Sequence, residues 1–176
     1  VIFLMLGAFD LGFEELPRII PIFPLSGALL LPQGRLPLNI FEPRYLQMTQ
    51  DAISSTRVIG MIQPENQEEP PSIFGTGCMG RITAFSETDD GRLLITLLGV
   101  CRFQIIEELA LTKGYRRVVA DCRRFRDDLT TNHEAQVPRK RLLKALRGYL
   151  TRKHVDADWA TIEKTDDLNL VTSLAM

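Results

Sequence analysis

The stretch Leu36-Pro-Leu-Asn-Ile-Phe-Glu-Pro-Arg-Tyr45 determines how the first part of this chain folds. Residues 36–40 form a short apolar run interrupted by proline. Such a run is typical of an edge strand or an irregular barrel wall, because proline cannot donate to a strand ladder. Pro43 follows Glu42, and a proline at the first helical position with a carboxylate just before it is a helix-start signal. The stretch therefore predicts a strand followed at once by a helix.

Further strand patterns lie on both sides of this stretch. Arg18 to Phe23 precedes it, and the later runs are Arg57 to Gln63, Thr76 to Glu87, Arg92 to Leu98, Cys101 to Leu109 and Tyr115 to Phe125. The Asp90-Gly91 pair between two of these runs is a strong hairpin signal. About seven strands at such close spacing predict a small barrel or sandwich.

The composition changes near Asp127, where strand patterns end and helical spacing begins. Thr131-Asn-His-Glu134 has the form of a capping box, in which two side chains bond to backbone amides at a helix start. Asp158 and Asp166 are predicted to cap two further short helices. The last apolar pattern continues to Met176, which predicts a truncated helical subdomain.

The chain opens with an unbroken apolar run, Val1 to Phe9. About nine residues cannot span a bilayer, which takes roughly 20, and no basic segment precedes the run as in a secretory signal. Two alternatives remain open, a strand added to the core and an apolar tail that docks on a neighbouring molecule. We expect an apolar tail over 1–16, with self-association through Val1 to Phe13, a β domain over 17–127 and a helical subdomain over 128–176.

The charge and the cysteines indicate an ordinary globular protein. Hydrophobic residues make up 45% and charged residues 24% of the 176 residues, and the formal net charge is −1. Cys78, Cys101 and Cys122 contain no Cys-x-x-Cys pair, which argues against a disulfide framework and a zinc site. We interpret them as small buried apolar residues in a reducing compartment, so that a cytoplasmic location is expected.

No enzymatic motif stands out in the sequence. It contains neither a GxxxxGK[ST] phosphate loop nor a GxSxG serine motif. Gly75-Thr-Gly-Cys-Met-Gly80 matches the GxGxxG dinucleotide pattern, but a β pattern follows it and residues 93–106 contain no acidic residue. We interpret these glycines as residues that leave space in a crowded barrel strand or at a β-bulge. We expect no catalytic residues, no metal and no cofactor.

Several motifs together resemble the Lon protease N-terminal domain family. Ile22-Phe-Pro-Leu25, Leu29-Leu-Leu-Pro32 and the stretch 36–45 are similar to the opening signature of that family. Gly77 to Ile82 and Gly99 to Phe103 resemble its later segments. The resemblance implies a mainly β fold with α, a PUA-like β pseudo-barrel with a packed helix and a small C-terminal helical subdomain.

In Lon proteases this region precedes an ATPase and a protease domain and helps to select unfolded or tagged proteins. The sequence contains neither downstream domain, so a stand-alone member or a fragment is expected. The resemblance thus implies a non-catalytic, bacterial protein-recognition domain. Its expected partners are unfolded or tagged proteins and a protease or chaperone. No association with a membrane is expected.

The candidate binding residues come from an apolar loop and from the signature. Exposed apolar loop residues often mark protein-binding sites, although such a loop can also fold back as a barrel plug. Arg44 can equally pair with a carboxylate. The candidates are Leu29, Leu30, Leu31, Pro32, Phe41, Arg44 and Tyr45.

The alternative function is RNA binding, since PUA-like folds include RNA binders. Basic residues occur in the stretches 113–126 and 139–147, and the candidate nucleic-acid patch is Arg116, Arg117, Arg123 and Arg124. The aromatic residues expected of a single-strand platform are few there. A small-molecule pocket in the barrel is a third alternative.

Overall fold

The computed structural model describes residues 4–5, 12–111, 113–130 and 137–176. The predicted capping box at 131–134 and most of the apolar tail lie outside these residues. The chain divides into two compact units. The first comprises Val1–Thr130 together with Met176, and the second comprises Thr131–Ala175. Within the described ranges, no helix has the length and apolar character needed to cross a membrane.

In the described part of the first unit, seven strands form one sheet. They are β1 (Leu4–Met5), β2 (Ile19–Pro24), β3 (Arg35–Ile40), β4 (Val58–Ile62), β5 (Thr76–Glu87), β6 (Leu93–Leu109) and β7 (Arg117–Asp121). The order β5-β4-β2-β7-β6 closes on itself because β6 also pairs with β5. This closed ring of strands confirms the predicted mainly β pseudo-barrel.

Strand β6 is twice as long as its sequence pattern predicts. The two predicted runs at 92–98 and 101–109 merge into one strand, because the alternation of buried residues continues through Gly99. Met79 pairs with Cys101 and Gly80 with Gly99, so the residue between them bulges outward and lets the strand bend. The first half of β6 pairs with the edge strand β3, and its second half pairs with β7.

The last predicted strand is shorter than its pattern indicates. β7 ends at Asp121, and a 3₁₀ helix follows at Arg123–Leu129. Arg123 and Arg124 therefore lie on a helical turn and not on a strand. Phe125 within this turn has a φ of −115°, which marks a kink between its two halves.

Helix α1 (Pro43–Ile53) begins at the predicted proline, with Glu42 as its extended N-cap. It buries Tyr45, Met48, Thr49 and Ala52 against the barrel. The Tyr45 ring packs on Phe23 with a centroid distance of 4.1 Å. The predicted packed helix is thus confirmed, and its inner face closes one side of the core.

The GxGxxG glycines serve strand packing inside the barrel. A Cβ atom on Gly77 would lie 2.5 Å from the carbonyl oxygen of Met61 and 2.7 Å from the Phe103 ring. Phe103 itself is fully buried. Only glycine fits this approach of backbone and ring, which supports the structural interpretation of the motif.

The second unit contains helices α2 (Arg139–Lys153), α3 (Trp159–Lys164) and α4 (Asp167–Ala175). Asp158 caps α3 by accepting a 3.1 Å hydrogen bond from the amide of Thr161. Asp166 accepts a 3.0 Å hydrogen bond from the amide of Asn169 at the start of α4. Both predicted caps are confirmed.

Candidate functional site

The apolar loop Leu29–Pro32 before β3 is partly buried in the barrel and partly exposed. Leu30 is only 3% exposed and belongs to the core. Its side chain occupies the space above Gly80, where a Cβ atom would lie 2.7 Å from the Leu30 Cδ2 atom. Leu29, the preceding residue, is 41% exposed. Leu31 and Pro32 are half-buried.

Backbone hydrogen bonds fix this loop to the bulged part of β6. The amide of Gln33 donates to the carbonyl of Gly99 at 2.9 Å, and the amide of Gly99 donates to the carbonyl of Gly34 at 2.8 Å. The Leu31 carbonyl oxygen lies so close to Gly99 that a Cβ there would be 1.9 Å away. The loop is therefore held in one position by the barrel wall.

Gln63 fixes the other end of the loop. Its side-chain amide donates to the carbonyl oxygens of Leu25 and Ala28. The backbone carbonyl of Gln63 accepts a 3.1 Å hydrogen bond from the backbone amide of Phe74, a residue that is 51% exposed. Gln63 thus links the backbone of the loop, at Ala28 next to Leu29, to the backbone of Phe74.

A small cavity, which we call the loop groove, opens beside Gln63. Its volume is about 110 Å³. The lining residues are mostly apolar, with Thr76, Gln63 and Arg102 as the polar members: Ala28, Leu29, Leu30, Leu31, Met61, Ile62, Gln63, Thr76, Gly77, Cys78 and Arg102. The predicted loop therefore contributes one wall, and β4, β5 and β6 contribute the others.

Arg102 is the charged residue of the loop groove, and its charge is balanced by Asp128. The guanidinium donates to both carboxylate oxygens, at 2.8 and 2.7 Å, and the backbone amide of Arg102 adds a 2.9 Å bond. Burial acts to raise the pKa of Asp128, but these hydrogen bonds lower it below its ordinary value. The pair gives the groove a polar edge without net charge.

Phe41 lies at the opposite end of β3 from the loop. Six residue steps from Arg35 to Phe41 span about 20 Å at roughly 3.3 Å each. Phe41 is 61% exposed beneath the guanidinium of Arg92, which is 5.9 Å from the ring centroid. The structure therefore separates Phe41 from the loop by the length of β3, whereas Tyr45 belongs to the same core cluster as Leu30.

Two of the predicted binding residues serve the core. Leu30 and Tyr45 are buried, at 3% and 9% exposure, so their side chains are not available to a partner. Burial removes apolar area from water, and this accounts for their place in the signature. Arg44 pairs with Glu42 at 3.0 Å and with Glu69 at 2.7 Å, as the structural alternative for this residue predicts.

Two of the four arginines in the predicted nucleic-acid patch, Arg116 and Arg123, pair with carboxylates. Arg116 donates to both oxygens of Glu108, at 2.6 and 2.7 Å, and lowers the pKa of Glu108. Arg123 binds Asp121 and holds the pKa of that carboxyl at about 2. Arg117 lies on β7, and the Arg124 guanidinium lies 5.3 Å from the ring centroid of Phe125. Carboxylates placed this way weaken attraction for phosphates.

Sequence reasoning missed Gln63, Phe74 and Asp128. Phe74 belongs to a two-residue apolar segment, Ile73-Phe74, after a polar loop, and no periodicity identifies it. Asp128 is one acid among 22 acidic residues, and its pairing with Arg102 depends on the 3₁₀ turn. The contact between Gln63 and the loop joins residues that are 35 and 38 positions apart. A clue existed only for Gln63, since it ends a predicted buried strand.

Most of the chain is similar to solved Lon N-terminal domains. One is the crystal structure of a Lon N-terminal domain protein from Xanthomonas campestris, with a TM-score of 0.55 and 21% identity, over 89% of this chain and 97% of that one. Another is the N-terminal domain of Mycobacterium avium complex Lon protease, with a TM-score of 0.58 and 16% identity, over 89% and 79% of the two chains. At these identities the likeness concerns the fold.

Curated sequences agree with this fold. Lon protease 2 of Myxococcus xanthus is 28% identical over 98 residues, which are 53% of this chain and 12% of that protein. The Lon protease of Cytophaga hutchinsonii is 31% identical over 104 residues, or 57% and 13% of the two chains. The match thus spans about an eighth of the length of these relatives. The family of the ATP-dependent protease La (LON) substrate-binding domain matches residues 19–175, and the chain belongs to this family.

Proposed function

We propose that the first unit binds extended, apolar segments of other polypeptides through the loop groove, with Leu29 and Phe74 as its exposed apolar contacts. Membership of a substrate-binding domain family carries this proposal. The role is one of recognition, and the chemistry of any whole protein would come from other domains.

The size of the loop groove favours a side chain as its occupant. Its volume of about 110 Å³ is well below the roughly 300–1,000 Å³ of sites for drug-sized molecules. A groove of that size accepts one apolar side chain of an extended chain. Leu29 and Phe74, at 41% and 51% exposure, would then cover the neighbouring residues of the bound segment.

The fixed position of the loop supports binding without a large ordering cost. The bonds from Gln33, Gln63 and Gly99 hold Leu29 in place before any partner arrives. Affinity improves when a binding surface is ordered in advance, because less conformational freedom is lost on association. The partners we propose are unfolded or tagged proteins, with a protease or chaperone in the same pathway, in the cytoplasm.

Binding of a fluorescent, permanently unfolded polypeptide tests the proposal. Leu29→Asp should weaken the affinity at least about 10-fold, because a Leu side chain in a partner contact contributes roughly 1.5–3 kcal/mol. Phe74→Asp should act in the same direction. Fluorescence anisotropy with the full chain gives the dissociation constants.

Leu111→Asp is the matched control. Leu111 is also an exposed apolar residue, at 64%, but it lies nine residues from Arg102 along and just beyond β6, more than about 20 Å away. Its replacement should leave the affinity unchanged. Equal affinities for Leu29→Asp, Leu111→Asp and the unchanged chain would reject the loop groove as the binding surface.

A further inference from the structure

Two of the three cysteines meet at one side of the barrel. Cys101 lies on β6 as the cross-strand partner of Met79, and the Cys122 Sγ lies 3.9 Å from the Met79 Sδ. The Cys101 Sγ also lies 3.4 Å from the carbonyl oxygen of Phe125, in the turn that Cys122 opens. Both cysteines thus lie beside Met79 and belong to the same core cluster. Sequence spacing gave no indication of this pair.

A solvent-facing cavity is lined by one residue of the pair. A cavity of about 430 Å³, lined by Phe13, Arg18, Ile106 and Cys122 among others, lies between the segment 13–18 and the end of β7. Cys122 retains 7% exposure, whereas Cys101 has 0%. A small oxidant that enters the cavity therefore contacts Cys122, whereas Cys101 is not among the residues that line it.

The proximity of the two thiols also gives them different acidities. Hydrogen bonding by the neighbouring Cys101 thiol lowers the pKa of Cys122, because it stabilises the Cys122 thiolate. The same interaction, followed by burial, raises the pKa of Cys101. Burial raises the pKa of Cys78 as well. Since the thiolate is the reactive form, Cys122 is the nucleophile among the three.

We propose that Cys122 and Cys101 are a peroxide-reactive pair that closes into an intramolecular disulfide. The Cys122 thiolate attacks hydrogen peroxide, so that an S–O bond forms, the O–O bond breaks and the departing hydroxide takes a proton to become water. Cys101 then attacks the sulfenic sulfur, the S–S bond forms and the S–O bond breaks. The Cys101 proton leaves with that hydroxide as a second water.

The electrons and atoms balance over the two steps. Two thiols and one peroxide give one disulfide and two waters, and the two electrons lost by the sulfurs reduce the peroxide. Cys78 is 2% exposed and lines the loop groove instead of this cavity. It takes no part in the reaction and remains a thiol.

Peroxide treatment of the reduced full chain, followed by unfolding and alkylation, tests the pair. The alkylated cysteines, counted by intact mass, should fall from the three of the sequence to one. Trypsin cleaves after Arg92, Arg102, Arg117 and Arg123, so a disulfide-linked pair of peptides, 93–102 with 118–123, should appear. Reductant should separate them.

Variants assign the order of the steps. Cys101→Ser should leave Cys122 as a sulfenic acid that a 1,3-dicarbonyl reagent traps, and Cys78→Ser should still form the disulfide. The proposal is overturned if three cysteines remain alkylated, or if the bond joins Cys78 or two chains. The peptide map of the unchanged chain decides this even where a serine variant does not fold.

Discussion

Replacing Leu30 by alanine should destabilise the first unit much more than the same replacement at Leu29. The two residues are neighbours in one loop, yet Leu30 is 3% exposed and Leu29 is 41% exposed. Because the side chains are identical, the comparison isolates burial from chemistry. It tests whether the loop is fixed to the barrel through Leu30.

The magnitude follows from what Leu30 fills. Leu→Ala in a core costs about 2–5 kcal/mol, the larger values arising where the cavity cannot collapse. Leu30 packs above Gly80, which has no side chain to fill the space, but the loop lies at the barrel surface and can relax. We expect a loss of about 2–3 kcal/mol in the free energy of unfolding for Leu30→Ala, and less than about 1 kcal/mol for Leu29→Ala.

Urea unfolding followed by the far-UV signal measures both variants. With a slope of roughly 2 kcal/mol per molar urea, the midpoint for Leu30→Ala should fall by about 1–1.5 M. The midpoint for Leu29→Ala should fall by less than about 0.5 M. Similar midpoints for the two variants would refute the argument that Leu30 fixes the loop.

Two further predictions concern the same unit. Gly99→Ala should cost about 1–3 kcal/mol of unfolding free energy and weaken peptide binding, because its Cβ would lie 1.9 Å from the Leu31 carbonyl oxygen. Urea midpoints measure the stability, and fluorescence anisotropy measures the binding. Unchanged values for the variant would contradict the claim that the barrel wall holds the loop in one position. Tyr115 donates to Asp51 at 2.7 Å, and burial followed by this bond raises the pKa of Tyr115 from 10.0 to about 12. Because the folded-state pKa is raised, this stabilisation is complete below pH 10 and is lost as the pH rises towards 12. Tyr115→Phe should cost about 1 kcal/mol below pH 10, and a stability difference from the unchanged chain that stays constant up to pH 12 would exclude this account.

Local chemistry made part of the fold predictable from the sequence. Pro43 after Glu42 specified the start of α1, and Asp90-Gly91 specified a hairpin turn in which Gly91 has a φ of 80°. Asp158 and Asp166 specified the starts of two helices. Each of these features depends on residues within about four positions of one another, so the sequence alone contains the cause.

Features that depend on distant contacts were not predictable in the same way. The merging of two runs into β6 depends on pairing with β5 on one side and with β3 and then β7 on the other. The end of β7 at Asp121 depends on the turn that brings Asp128 to Arg102.

The candidate site was predictable only in part for the same reason. The apolar loop was identified, but which of Leu29 and Leu30 faces the core depends on Gly80 and Gln63, which are far away in sequence. Phe41 was grouped with the loop because the signature is continuous in sequence, whereas β3 separates Phe41 from the loop in space.

Site-specific photocrosslinking tests the central claim most directly. A photoreactive side chain is placed at Leu29 in one sample and at Leu111 in another, each with a fluorescent unfolded polypeptide. The account predicts strong crosslinking from position 29 and only weak background crosslinking from position 111. An excess of the unlabelled unfolded polypeptide should compete with the crosslinking from position 29, whereas the folded form of that polypeptide should not. Crosslinking that is equal at the two positions, or absent from Leu29 while the polypeptide is bound, would contradict it.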